Sequence, residues 1–114
     1  ALVGERGASG RTTATDANRF ALRVARAITG RPKVLVFNGC YHGTVDDTFV
    51  SLENGKTVTS PGLLGQVNDL TQTAVACEFN DLAGVEAALA KGDVAAILTE
   101  PIMTNSCMVL PEAG

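Results

Sequence analysis

The 114-residue chain has no tryptophan, one tyrosine, one histidine and four phenylalanines. So small an aromatic set leaves few rings to stack on nucleic-acid bases. Positive charge is not in excess either: nine Lys and Arg face twelve Asp and Glu, for a net charge of −3. No overall basic field draws the chain to nucleic acid or to an anionic membrane. Its longest apolar runs, Val34 to Phe37 and Val94 to Leu98, fall far short of the roughly 20 residues that cross a bilayer as a helix. The opening stretch from Ala1 to Arg11 carries no initiator Met and no basic segment followed by a long apolar one, so no signal peptide is expected. Cysteine is scarce: Cys40, Cys77 and Cys107 are odd in number and widely spaced. That pattern fits neither a disulfide framework nor a CxxC metal or redox motif, and a reducing, cytoplasmic setting is expected.

What is present describes a globular domain. A hydrophobic fraction of 46% with 18% charged residues is too apolar and too weakly charged for disorder, and the length suits a single core. Charge is unevenly placed. Arg11, Arg19, Arg23, Arg26, Arg31 and Lys33 are opposed only by Asp16, whereas beyond Lys33 the only cations are Lys56 and Lys91.

Ala17, Phe20, Ala21, Val24 and Ile28 recur at helical spacing and predict one apolar stripe of a helix over 16–29, with Thr15 as N-cap and Gly30 and Pro32 as stop. Val34 to Phe37 reads as a strand buried on both faces. From Cys40 to Val75 the turn signals Asn54-Gly55, Ser60-Pro61-Gly62 and Asn68-Asp69 suggest a long irregular connection, of a length that is usually functional or covered by other protein. Thr73 to Phe79 is a second strand. Asn80 caps a helix carrying Leu82, Val85, Ala88 and Leu89, closed by Lys91-Gly92, and Val94 to Leu98 is a third strand. Strands alternating with helices imply a parallel sheet of the α/β class.

Three places could carry chemistry. Thr12 to Asp16 stands at a helix N-terminus, where free N–H groups and the dipole suit a phosphate, or where small residues simply cap the helix. Asn38 to Gly43 follows the first strand, where ligands of open α/β sheets bind. It holds the only Tyr and the only His, so Tyr41 could stack on a flat ligand, or the segment could be a turn with a hydrogen-bonded His42. A Cys40–His42 nucleophile lacks an orienting third group, and His42 with Asp46 and Asp47 makes a poor metal site. Glu100 ends the third strand, where a carboxylate is either solvated or faces a ligand. Arg19, Arg23 and Arg26 share a helix face, read as solvated or as a subunit contact. The stretch from Leu2 to Thr13 is superficially similar to the phosphate loop of ATP-binding-cassette proteins, and Ile97 to Pro101 to their acidic strand end. However, five residues separate Gly4 from Gly10, Arg11 stands where a Lys is needed, and Thr99 replaces the magnesium-holding Asp.

Thr13 to Lys33, Gly-Cys-Tyr-His-Gly (Gly39 to Gly43), Phe-Asn-Asp (Phe79 to Asp81) and Ala-Ala-Ile-Leu-Thr-Glu-Pro (Ala95 to Pro101) together resemble one family in order and spacing. It is the class III aminotransferases, in their glutamate-1-semialdehyde aminomutase-like branch, and the likeness runs from about Thr12 to Pro111. The resemblance implies pyridoxal 5'-phosphate as cofactor and part of the parallel-sheet large domain of the fold-type I transferases. It implies an enzyme that moves an amino group between a small-molecule donor and a keto or aldehyde acceptor through a cofactor Schiff base, working as a homodimer. Thr13, Ala14 and Thr15 match the family's Ser-Gly-Thr, which holds the cofactor phosphate. Tyr41 matches the aromatic stacked over the pyridine ring, His42 and Gly43 shape the turn beside it, and Glu100 matches a Glu-Pro glutamate near the active site.

Departures from the pattern are Ala14 for Gly, Asp16 for Glu, Cys107 for Gly, and a head over 1–11 unlike the family. Family members are several times longer. Their catalytic Lys and the Asp facing the pyridine nitrogen lie downstream of the matching segment, and Lys33, Lys56 and Lys91 are wrongly placed to serve. The expectation is a cofactor-binding piece over 12–114 without transaminase activity of its own, the alternative being a non-catalytic remnant or interaction module.

Overall fold

A computed structural model describes residues 13–105 and 108–113. The expected head over 1–11, the phosphate-loop likeness that runs through it, and Cys107 lie outside the described residues. Helix α1 spans Ala14–Thr29 and begins two residues earlier than expected. The cap is Thr13 rather than Thr15. Thr13 Oγ1 accepts the Asp16 N–H at 3.3 Å, and the Asp16 carboxylate accepts the Thr13 N–H at 3.4 Å. This reciprocal capping box satisfies two helix-end donors.

Strands β1 (Lys33–Phe37), β4 (Ala74–Cys77) and β5 (Val94–Leu98) form the central sheet in the order β4-β1-β5, all parallel. Helix α2 (Leu82–Ala90) crosses over between β4 and β5. It is capped by Asp81, whose side chain accepts the Gly84 N–H at 3.0 Å. Asn80, the expected cap, instead takes a positive φ of 66° ahead of it. Alternate residues of β1 point to opposite faces. Val34 and Val36 pack with Leu22, Ala74 and Ala76 on one side; Leu35 packs with Cys77, Ala88 and Val94 on the other. All three β1 residues are essentially inaccessible, as befits the centre of a parallel sheet covered on both faces.

The connection expected to be irregular contains an antiparallel hairpin, β2 (Val50–Glu53) and β3 (Lys56–Thr59). Asn54 and Gly55 turn it, both with positive φ, the backbone that matches strand twist in a two-residue hairpin loop. The hairpin is tied to the sheet by Thr57 Oγ1, which accepts the Ala76 N–H at 3.0 Å, and by Asn38 Oδ1, which accepts the Leu52 N–H at 3.1 Å.

The stripe chosen from the periodicity does not face the core. Only Leu22 of α1 is fully buried, while Phe20, Val24 and Ile28 are 49%, 40% and 79% exposed. Polar anchors set the rotation of the helix. Arg26 Nη1 bonds Asp47 Oδ2 at 2.6 Å, its Nε donates to the Pro32 carbonyl at 2.8 Å, and its Nη2 donates to the Thr73 carbonyl at 3.1 Å. Arg26 is therefore an internal clamp, which corrects its reading as a solvated or subunit-contact residue.

Candidate functional site

The N-terminus of α1 and the C-terminal ends of β1 and β5 meet at one end of the sheet. In α1, the Thr13 hydroxyl and N–H are both engaged by Asp16. The N–H groups of Ala14 and Thr15 belong to the first turn, where a helix has no internal acceptor to offer. They are the donors this end presents to an anion. Asp93 and Lys33 mark the opposite end of the sheet, where they form an ion pair at 2.8 Å.

Beyond β1 the chain turns through Asn38–Gly43 and lies against the helix start. Thr15 Oγ1 accepts the Thr44 N–H at 2.9 Å, and Asn18 Nδ2 donates to the His42 carbonyl at 2.8 Å. Gly43 has a φ of 85° and sits so close to Thr15 that a Cβ would collide with Thr15 Oγ1 and come within 3.1 Å of its Cα and N. Only glycine meets both demands without strain. Accepting from Thr44 uses one lone pair of the Thr15 hydroxyl and leaves its hydrogen available to donate. Tyr41 stands at the lip, 52% exposed, while His42 beside it is 7% exposed.

Behind the turn, Glu100 follows β5. Its Oε1 accepts the Thr104 hydroxyl at 3.0 Å, and Asn105 Nδ2 donates to the Gly39 carbonyl at 3.3 Å, which binds the segment after β5 to the turn after β1. Two buried side-chain atoms here have no partner among the described residues: His42 Nε2 and Glu100 Oε2. Burial pushes the His42 imidazole below its usual pKa, and the Glu100 charge opposes the shift. Burial pushes the Cys40 thiol above its usual range, with Glu100 adding to the rise. These directions favour neutral thiol and neutral imidazole, the reverse of an activated Cys–His pair. The Asp47 carboxylate, weighed as a metal ligand, is taken on one oxygen by Arg26 and on the other by Thr73.

All six residues singled out from the sequence, Thr13, Ala14, Thr15, Tyr41, His42 and Glu100, thus gather at this end. Thr13 serves the helix cap, Ala14 is exposed, and the half-buried Thr15 side chain is packed against Thr44 and Gly43. Asn18 escaped notice; its one signal is that it lies a helical turn after Thr15, on the same face.

A family model described as aminotransferase class-III matches residues 8–114. The chain belongs to the class-III aminotransferase family. Glutamate-1-semialdehyde 2,1-aminomutase 1 of Lachnoclostridium phytofermentans is 39% identical over 103 residues, covering 88% of this chain and 24% of the relative. A crystal structure of a glutamate-1-semialdehyde-aminomutase from Pseudomonas aeruginosa is similar with a TM-score of 0.83 at 51% identity, over 88% of this chain and 22% of that one. A variant of the Pseudomonas enzyme in complex with PMP matches at a TM-score of 0.82 and 52% identity, over 87% and 22%. The chain therefore spans about a quarter of the length of the relatives it matches. Its parallel sheet is that of the fold-type I aminotransferases, and the family match begins at residue 8, inside the head that looked foreign to the family.

Proposed function

We propose that this chain is the phosphate-holding and ring-stacking part of a pyridoxal-5'-phosphate-dependent aminotransferase or aminomutase. The observation that carries the reading is the joint made by Thr15. Its hydroxyl takes the Thr44 N–H, and its backbone is packed against Gly43, so the helix N-terminus and the Tyr41 turn form one rigid surface. Such a surface fits the cofactor. The Ala14 and Thr15 N–H groups and the Thr15 hydroxyl would bind its phosphate, and the half-exposed Tyr41 ring would lie against its pyridine. When bound, the cofactor supplies an electron sink for the carbon that bears the amino group. This chain's own part is to bind and orient.

None of its three lysines stands at this end of the sheet. Lys33 opens β1 and pairs with Asp93, Lys56 lies in β3, and Lys91 ends α2. The chain by itself is accordingly read as unable to complete amino transfer. Conversion of added cofactor to its pyridoxamine form by an amino donor and this chain would overturn that part of the reading. An amino donor and a keto or aldehyde acceptor are the substrate classes of the whole enzyme, and a homodimer its assembly. The free Cys40 and Cys77 support a reducing, cytoplasmic setting.

The decisive experiment is a pyridoxal-5'-phosphate titration of the wild-type chain and Thr15→Ala, followed by absorbance. One hydrogen bond to a charged group contributes about 1.5–3 kcal/mol, so affinity is expected to fall roughly tenfold to a hundredfold. Unchanged affinity would refute the cradle. A second reading, a non-catalytic interaction module, is favoured by the exposed Phe20, Val24 and Ile28 on α1. It predicts self-association by sedimentation without any cofactor binding.

A further inference from the structure

Gly43 lets its turn approach Thr15 closely, but a glycine adopts positive and negative φ about equally well. The φ of 85° found here must therefore be selected by contacts around it. The two peptide groups that flank Gly43 are each gripped by a side chain of α1. The 42–43 peptide offers the His42 carbonyl, which accepts Asn18 Nδ2 at 2.8 Å, and the 43–44 peptide offers the Thr44 N–H, which donates to Thr15 Oγ1 at 2.9 Å. Thr15 and Asn18 are three residues apart and so lie on one face of the helix. One accepts and the other donates. Because a peptide group is planar, a bond to its oxygen or its hydrogen restrains the whole unit.

The hold matters most for Tyr41. Its ring is 52% exposed, so packing gives it little support and the backbone on either side sets its direction. On the near side the Cys40 N–H donates to the Phe37 carbonyl at 3.1 Å. On the far side the first fixed point is the His42 carbonyl. We infer that Asn18 is a positioning residue: through the His42 carbonyl it fixes the 42–43 peptide, and with it the backbone from which the Tyr41 ring projects. Asn18 suits the task because a carbonyl only accepts and the amide nitrogen donates, while the uncharged side chain adds no field beside the helix start. Without that bond the chain after Tyr41 has no hold before the Thr44 N–H, and Gly43 regains its other conformations. The consequence for the cofactor rests on the reading above; the clamp itself does not.

Tyr41 is the only tyrosine, and the chain has no tryptophan, so ultraviolet emission reports this one ring. The experiment compares the time-resolved anisotropy of Tyr41 in the cofactor-free wild type, in Asn18→Asp and in Asn18→Ala. Asn18→Asp keeps the shape of the side chain but turns an acceptor against the His42 carbonyl, and Asn18→Ala removes the donor without adding charge. Both are expected to retain helical circular dichroism while fast local motion of the ring takes a larger share of the decay. A residue that only fills space would lower the unfolding midpoint and leave the ring motion as it was, and that result would overturn the inference. Should Asn18→Asp fail to fold, the anisotropy of Asn18→Ala decides. In a wild type that binds pyridoxal 5'-phosphate, Asn18→Ala is expected to weaken binding by about twofold to tenfold, the worth of one neutral hydrogen bond. A loosened ring with unchanged affinity would overturn the positioning role. A wild type that does not bind would instead refute the cofactor reading, and the anisotropy would still decide the clamp.

Discussion

Gly43→Ala tests the joint on which the site depends. The substitution costs energy twice. An L-residue with a φ of 85° pays about 1 kcal/mol for the left-handed backbone. Its Cβ must also push away Thr15, whose Oγ1 it would overlap and whose Cα and N lie 3.1 Å from it. A flexible side-chain end could give way, but the helix backbone is held by the capping box and by Asn18, so overpacking of about 1–3 kcal/mol is added. The total is about 2–4 kcal/mol. Gly55→Ala is the matched control: φ is 75° in the hairpin turn, and nothing lies within 4 Å of the added carbon, so only the backbone cost of about 1 kcal/mol applies. Urea unfolding of the three proteins, compared at equal m-value, should place Gly43→Ala well below Gly55→Ala. Pyridoxal-5'-phosphate affinity should fall in the first and persist in the second. Equal losses of stability in the two variants would refute the claim that the turn and the helix start are rigidly joined.

Further outcomes follow from the same geometry. Thr13→Ala removes the helix cap and is expected to cost about 1 kcal/mol, read as a lower thermal midpoint; no change would mean that the cap lies elsewhere. Arg26→Ala strips three hydrogen bonds, to Asp47 and to the Pro32 and Thr73 carbonyls, and is expected to cost about 2–3 kcal/mol. Asp93→Asn, which breaks a partly exposed pair with Lys33, is expected to cost under about 1 kcal/mol, and denaturant midpoints of the two would show the reverse order if Arg26 were merely solvated. Burial lowers the folded-state pKa of His42 from 6.5. The unfolded chain therefore takes up its proton first, and stability is complete above pH 6.5 and lost as pH falls through the lower folded value. A His42→Asn variant should lose that part of the acid sensitivity, and an unaltered profile would show that the imidazole is not buried neutral.

The one-dimensional pattern was enough for elements whose physics is local or nearly so. Val94 to Leu98 is a strand at those residues because a short apolar run after Gly92 has few other uses, and the α/β class follows from alternation of strand and helix. The three candidate places were marked by a helix N-terminus and two strand ends and then by resemblance, whereas nothing in the spacing of Thr15, Tyr41 and Glu100 requires them to meet. Other features depended on partners distant in sequence. Two short, partly polar strands, Val50–Glu53 and Lys56–Thr59, carry weak periodicity and are held as strands by each other and by Thr57 and Asn38 reaching to neighbouring segments. Thr13 rather than Thr15 caps α1 because Thr15 is drawn to Thr44, 29 residues away.

Amphipathic periodicity, buried-strand composition and turn residues by themselves determined that this chain forms helices around a parallel sheet, because those signals arise from bonds and burial within a few residues. Only the tertiary structure decided which face of α1 turns inward. Ala17, Phe20, Ala21, Val24 and Ile28 make the more regular apolar stripe, yet Leu22 is the buried residue, on a helix whose Arg26, Asn18 and Thr15 are hydrogen-bonded to the Thr73 carbonyl, the His42 carbonyl and the Thr44 N–H, partners distant in sequence that no local periodicity encodes.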